Sequence, residues 1–136
     1  MEKEDRNRDI FMKEIKDIYD EIKKGSTGIF KTRAGDIHYL LNGKFHRVDG
    51  PAVEYINGSK HWFFYGQRHR DDGPAEEWQD GSKFWFFYGQ RHRSDGPAIE
   101  WPDGTKYWYF FGEGTYSEKE FYGPEWRKRI EIKRFL

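Results

Sequence analysis

The chain has no cysteine. That excludes a disulfide scaffold, thiolate metal sites and a thiol nucleophile, and it fits a reducing compartment. Long apolar runs are missing too. No stretch approaches the roughly 18 residues of a membrane-crossing helix, and the opening MEKEDRNRDIF lacks the apolar segment of a signal peptide. The expectation is a cytoplasmic protein with no membrane span. Charge of one sign is absent: 24 basic side chains stand against 24 acidic ones. The balance gives nothing to draw nucleic acid or an anionic membrane. Catalytic signatures are missing as well, with no phosphate-binding loop, no G-x-S-x-G and no H-E-x-x-H. No catalytic residue, metal or cofactor is assigned on these grounds, and the chain reads as not an enzyme.

What the chain does have is aromatic residues and a repeat. Twelve Phe, nine Tyr and six Trp must build a core for which aliphatic residues are scarce. Three blocks align without gaps: HRVDGPAVEYINGSKHWFFYGQR (46–68), HRDDGPAEEWQDGSKFWFFYGQR (69–91) and HRSDGPAIEWPDGTKYWYFFGEG (92–114). A degenerate half-repeat, 30–45, precedes them, with Gly35, Tyr39 and Gly43 at the same period of 23 as Gly58, Trp62 and Gly66. Such strict self-similarity marks one supersecondary unit stacked several times.

Each unit reads as a β-hairpin. Asn57-Gly58, Asp80-Gly81 and Asp103-Gly104 separate two extended runs and predict type I′ turns, with positive φ at both central residues. A proline opens each first strand, where a missing N–H is tolerated. The segments from Gly66 to Gly73 and from Gly89 to Gly96 read as polar loops. The fold class is therefore mainly β, an antiparallel meander of seven or eight strands over 26–114. The flanks read as caps. Phe11, Ile15, Ile18 and Ile22 recur at helical spacing, so 1–25 predicts an amphipathic helix that ends at Gly25 and lies over one aromatic face. Ser117 to Glu120 is a capping box that opens a short helix in a C-terminal cap, 115–136.

The hairpin with an aromatic strand, a Tyr-Gly or Phe-Gly step and a DG turn resembles MORN repeats and the MORN-like repeats of YwqK-type antitoxin proteins. The variant HR-x-DGPA, at His46, His69 and His92, is similar to repeats of small proteins of tailed phages and large DNA viruses. The resemblance covers about Ile37 to Gly114. It implies a scaffold or binding surface and, for a phage protein, a host partner inhibited in takeover or anti-defence.

Candidate residues are weighed against this repetition. Equivalent positions in successive hairpins lie two strands, about 10 Å, apart, too far for His46, His69 and His92 to share a metal ion. Glu54, Glu77 and Glu100 repeat beside Arg47/Asp49, Arg70/Asp72 and Arg93/Asp95, which suggests structural pairing between loop and strand. The aromatic columns are the stronger functional lead. Trp62, Trp85 and Trp108 form one stripe, with Tyr55, Trp78 and Trp101 beside it, rimmed by Arg70 and Arg93. Phe63, Phe86 and Tyr109 stand on the opposite face. Residues that break the repeat are where a singular function would sit: Asp71 against Val48 and Ser94, and Glu76 against Val53 and Ile99. The binding candidates are thus Trp62, Trp85, Trp108, Asp71, Glu76, Arg70 and Arg93. The expected function is a non-enzymatic interaction module for a protein partner. The alternative is a nucleotide stacked on Trp or Tyr with Arg on its phosphates. A homodimer would cover the same face, and nucleic acid is not expected at the basic tail.

Overall fold

A computed structural model describes residues 12–134. The chain is mainly β and forms two compact units, Met1–Gln67 and Arg68–Leu136. Among the described residues no helix is long and apolar enough to cross a membrane.

The first unit begins with strand β1 (Met12–Ile15), followed by helix α1 (Ile18–Lys23) and strands β2 (Gly28–Thr32), β3 (Ile37–Leu41), β4 (Lys44–Phe45), β5 (Val53–Glu54), β6 (Lys60–His61) and β7 (Phe63–Phe64). β1 runs parallel to β2, from Met12 opposite Ile29 to Ile15 opposite Thr32. β2–β3, β3–β4, β3–β5 and β5–β6 are antiparallel. The sheet is therefore mixed, where an all-antiparallel meander was expected.

The single long N-terminal helix is corrected as well. Residues 12–15 are a strand, and the helix is one short piece from Ile18. Asp17 stops it growing backwards: its backbone is extended, and its carboxylate accepts the Tyr19 N–H at 2.9 Å as an N-cap. Ile15 and Ile18 still meet in one core with Phe30 and Leu40, where Ile22 and Phe45 join them. Strand followed by helix thus satisfies the same apolar spacing as one helix. Phe11 and the start of the expected helix lie outside the described residues. Glu21, buried on α1, ties this cap together. Ser26 donates to its carboxylate at 2.6 Å, with Lys13 and Lys24 each at 3.6 Å. The Ser26 hydroxyl, aided by the two ammonium groups, holds that carboxyl below its ordinary range against the opposing effect of burial. A second core of Ala52, Val53 and Phe63 gathers Tyr39, Phe45 and Tyr55.

His38 sits beside this core, stacked on Phe45 at 5.7 Å, with its Nδ1 buried and unbonded among the described residues. Burial pushes the imidazole below its ordinary 6.5, only partly offset by Asp36. The unfolded chain then takes up this proton first as pH falls. The contribution is intact above 6.5 and is lost below it, until the folded ring itself protonates. The urea midpoint is expected to drop between pH 7.5 and pH 5.5, and His38→Phe to flatten that step. An equally steep step in the variant would assign the acid sensitivity to other groups.

Strand β8 (Gln67–Arg68) spans the boundary in sequence. The second unit continues with β9 (Glu76–Glu77), β10 (Lys83–Phe84), β11 (Phe86–Phe87), β12 (Gln90–Arg91), β13 (Ile99–Glu100), β14 (Lys106–Phe110) and β15 (Glu113–Thr115). Its antiparallel sheet runs β9-β10-β13-β14-β15, and β11 pairs with β12 beside it. Helix α2 (Glu118–Phe121) starts on Ser117, whose hydroxyl accepts the Glu120 N–H at 3.1 Å, as the capping box predicts. Helix α3 (Pro124–Arg134) follows. Phe121 and Trp126 cover Trp108 and make the core of this unit together with Phe110.

The turns invert the expected assignment. Asn57, Asp80 and Asp103 do not have positive φ; only the glycine after each does. Tyr55 accepts the Gly58 N–H and donates to Ser59, which makes a three-residue loop of the type I plus bulge kind. The Asn57 side chain caps the Ser59 N–H at 2.9 Å. Positive φ at two successive residues occurs instead at Asn42-Gly43, Tyr65-Gly66, Tyr88-Gly89 and Phe111-Gly112. Second hairpin turns therefore form at Tyr65-Gly66, Tyr88-Gly89 and Phe111-Gly112, the first two where the expected polar loops begin. Phe87 faces Gln90 across one and Phe110 faces Glu113 across another.

Candidate functional site

The repeated polar residues are consumed by the fold. In each repeat the histidine Nδ1 accepts the backbone N–H of the aromatic residue at the strained turn: His46 from Tyr65 at 2.9 Å, His69 from Tyr88 at 3.1 Å and His92 from Phe111 at 3.0 Å. The rings also pack, with centroids 4.2, 4.0 and 4.0 Å apart.

The arginine one residue on is fixed on three sides. Arg93 reaches Asp95 at 3.0 Å, the Pro97 carbonyl at 3.1 Å and Glu100 at 3.4 Å. Arg70 does the same with Asp72, Pro74 and Glu77, and Arg47 with Asp49, Pro51 and Glu54. A Cβ on Gly50, Gly73 or Gly96 would meet the guanidinium carbon at 2.8, 2.9 and 2.7 Å, so the arginine would have to shift from its place in the network. The guanidinium lies over an aromatic ring, Arg93 on Trp85 at 4.0 Å and Arg47 on Tyr39 at 4.1 Å. The expected loop-to-strand pairing is what these distances describe, within one hairpin.

The sequence-derived candidates therefore separate. Trp108, 8% exposed, is core. Trp85 lies under Arg93, and Trp62 is half-buried in the first unit. Arg70 and Arg93 are held in their repeated networks. Asp71 is 82% exposed along its side chain and reaches His69 Nε2 at 3.0 Å. With Arg70, Arg93 and Trp85 it borders a concavity of about 600 Å³ between two repeat loops.

Glu76 leads elsewhere. It is 6% exposed and faces Phe84 across the sheet, with Ile99 beyond. One of its carboxylate oxygens is bound by Arg68 Nε, and the other accepts the Trp78 indole N–H at 2.9 Å. Trp78 and Trp101, each 41% exposed, flank Phe84, whose ring meets Trp101 edge-on at 5.1 Å. Phe86 continues the row, with the Arg68 and Arg91 guanidinium carbons 5.7 and 6.0 Å from its centroid. Asp80 lies at the end of the row. The Ser82 N–H donates to it at 2.8 Å and holds its carboxyl below the ordinary range. These residues line a groove of about 580 Å³. Among the described residues Arg91 has no carboxylate within ion-pair range.

The open aromatic face is therefore Trp78, Phe84 and Trp101. The stripe expected at Trp62, Trp85 and Trp108 is a different column: Trp62 and Trp85 each fall between two short strands, whereas Trp108 lies within β14. Trp85 donates to Ala98 on one side and accepts from His92 on the other, so the strand changes partner there.

Arg68 and Arg91 went unnoticed in the sequence although a signal was present. Phe45, Arg68 and Arg91 are 23 residues apart. In the first unit Phe45 packs on Phe63 at 5.2 Å and closes this face. In the second unit the same position is arginine, and the face is open and charged. Comparison of the chain with protein-family models, curated proteins and solved structures gives no match.

Proposed function

We propose that the chain is a non-catalytic interaction module that binds a protein partner through the Trp78–Phe84–Trp101 face of its second unit. The observation that carries this reading is the pair of indoles left 41% exposed at equivalent repeat positions, lining one groove with Phe84, Phe86 and Arg91. Exposed tryptophan beside arginine is the side-chain chemistry of binding hot spots. The engagement of the histidine and glutamate ladders in backbone and ion-pair bonding supports the non-catalytic part. The MORN-like character of the repeat belongs to the same proposal, and so does a host protein as partner of a phage-encoded array. A bound nucleotide is the second reading, favoured by Arg91, whose guanidinium is free of carboxylates among the described residues beside an aromatic floor. Absorbance at 260 nm of the purified chain tests it.

Glu76→Val copies a neighbouring repeat, so the hairpin tolerates it: Val53 and Ile99 fill the same slot. It removes the carboxylate that accepts the Trp78 indole N–H, and partner binding is expected to fall about tenfold with a melting temperature close to the parent's. Glu77→Gln weakens the half-exposed pair with Arg70 at 3.1 Å and is expected to cost about 1 kcal/mol or less, with binding retained. Asp71→Ser tests the loop concavity in the same assay. Normal binding by Glu76→Val alongside loss in Glu77→Gln would move the function to the repeated ladder.

A further inference from the structure

Resting on the protein-binding reading, we infer that the partner contributes a glutamate side chain whose carboxylate takes Arg91 and the Trp101 indole N–H as its donors. The preceding repeat shows what that socket holds when it is filled. There one Glu76 oxygen is bound by Arg68 Nε, and the other accepts the Trp78 indole N–H. Twenty-three residues on, the positions of Arg68, Glu76 and Trp78 are taken by Arg91, Ile99 and Trp101. Both donors are kept and the carboxylate is replaced by a hydrocarbon. The surroundings match closely. The Arg68 guanidinium carbon stands 5.7 Å from the Phe86 centroid, and that of Arg91 stands 5.6 Å from Tyr109, the equivalent ring. The Gly89 N–H donates to the Arg68 carbonyl at 2.8 Å, and the Gly112 N–H to the Arg91 carbonyl at 2.8 Å. The Trp78 backbone N–H donates to Ser82 at 2.9 Å, as that of Trp101 does to Thr105. Among the described residues no carboxylate lies within ion-pair range of Arg91, and the Trp101 indole N–H has no acceptor. Guanidinium and indole N–H groups donate only, and an ionised acceptor gives the stronger bond. Ile99 itself is buried, so the acceptor has to come from the open side of the groove, on another chain. Phe84 and Phe86 line that groove with Arg91 and Trp101, which suits apolar residues on either side of the glutamate.

The test uses the full chain and three probes, followed by calorimetry: a capped pentapeptide of glutamate flanked by valines, the same peptide with glutamine for glutamate, and AMP. The glutamate peptide is expected to bind at least about tenfold tighter than the glutamine peptide. Arg91→Gln, on an exposed side chain, should erase that preference and leave affinity for the glutamine peptide unchanged. Trp101→Phe keeps a ring without the N–H and should cut the preference about threefold. Ile99→Glu copies Glu76 and fills the socket from within, so it should abolish the preference. Glu76, 6% exposed in the same slot one repeat earlier, shows that the hairpin accommodates the change. Thermal melts check the fold of each variant, and Arg91→Gln decides if Ile99→Glu does not fold. Equal binding of both peptides, or a preference that survives in Arg91→Gln, would overturn the carboxylate inference and leave the protein-binding reading standing. Binding of AMP and of neither peptide would overturn both. Binding of none of the three would overturn the inference, and the partner assay with Glu76→Val would then decide the protein-binding reading alone.

Discussion

Replacing His92 with alanine is expected to cost the fold about 2–4 kcal/mol, read as a lower urea midpoint. Phe111 is held at φ 46, a region that an aromatic residue enters only when its surroundings enforce it. His92 is that enforcement. Its Nδ1 takes the Phe111 N–H at 3.0 Å, and its ring stacks on the Phe111 ring at 4.0 Å and 24°. Loss of the acceptor strands a part-buried donor at about 1–3 kcal/mol, and loss of the ring pair adds about 0.5–1.5 kcal/mol. His92→Gln offers an oxygen acceptor but no ring, so an intermediate midpoint is expected. Glycine at Phe111 abolishes the strain. The His92→Ala cost should therefore shrink in a Phe111→Gly background, a coupling that a double-mutant cycle reads directly. Additive effects of the two changes would sink the account.

That pairing explains much of what could and could not be read from the chain. The period of 23 and the hairpin character are visible because each tile must solve the same hydrogen-bonding problem with the same residues. Turn type is not visible. Asn57-Gly58 and Tyr65-Gly66 both end in glycine, and local preference favours Asn for positive φ. In the folded chain the Asn57 carbonyl oxygen caps Ser59 instead, and the residue that goes left-handed is the one with a histidine beneath its N–H. The decisive contact spans 19 residues, beyond the reach of a turn rule. The N-terminal segment shows a related limit. Spacings of three and four between Ile15, Ile18 and Ile22 are compatible with a helix, but Asp17 converts them into strand, cap and helix that reach the same core.

The candidate site was half visible for a similar reason. Glu76 stands out as a charge in a column otherwise filled by valine and isoleucine, and the structure places it at the head of the open aromatic groove. Assigning faces by alternation then failed for Trp62 and Trp85, because the strands on either side of each are two residues long and the pairing changes partner at Trp85. The substitution of Phe45 by Arg68 and Arg91 lies one position before each histidine, at the repeat boundary, where a structural role is easily assumed. Its meaning emerges only once Phe45 is seen closing, in the first unit, the face that is open in the second.

The first unit offers the other large expected effect, at Gly43. Its φ is +77, and an added Cβ would fall 2.5 Å from the Ile22 carbonyl oxygen and 3.0 Å from the Gly25 Cα. These are backbone atoms at the end of α1, so no side chain can swing aside. The turn is also bonded there: Gly43 donates to the Ser26 carbonyl at 2.8 Å and Asn42 to the Thr27 hydroxyl at 2.9 Å. Gly43→Ala must therefore lift the β3–β4 turn off the helix end or distort both, and about 3 kcal/mol or more is expected from overpacking together with positive φ. Gly58→Ala is the matched control, with φ +96 and nothing within 4 Å of the new methyl group. Only the backbone contribution of about 1–2 kcal/mol applies there. Urea midpoints of the two variants separate steric contact from conformation. In Gly43→Ala, loosening of α1 should also speed tryptic cleavage after Lys23 and Lys24, where Gly58→Ala leaves the rate unchanged. Equal midpoints and equal cleavage would show that the turn is not seated on the helix.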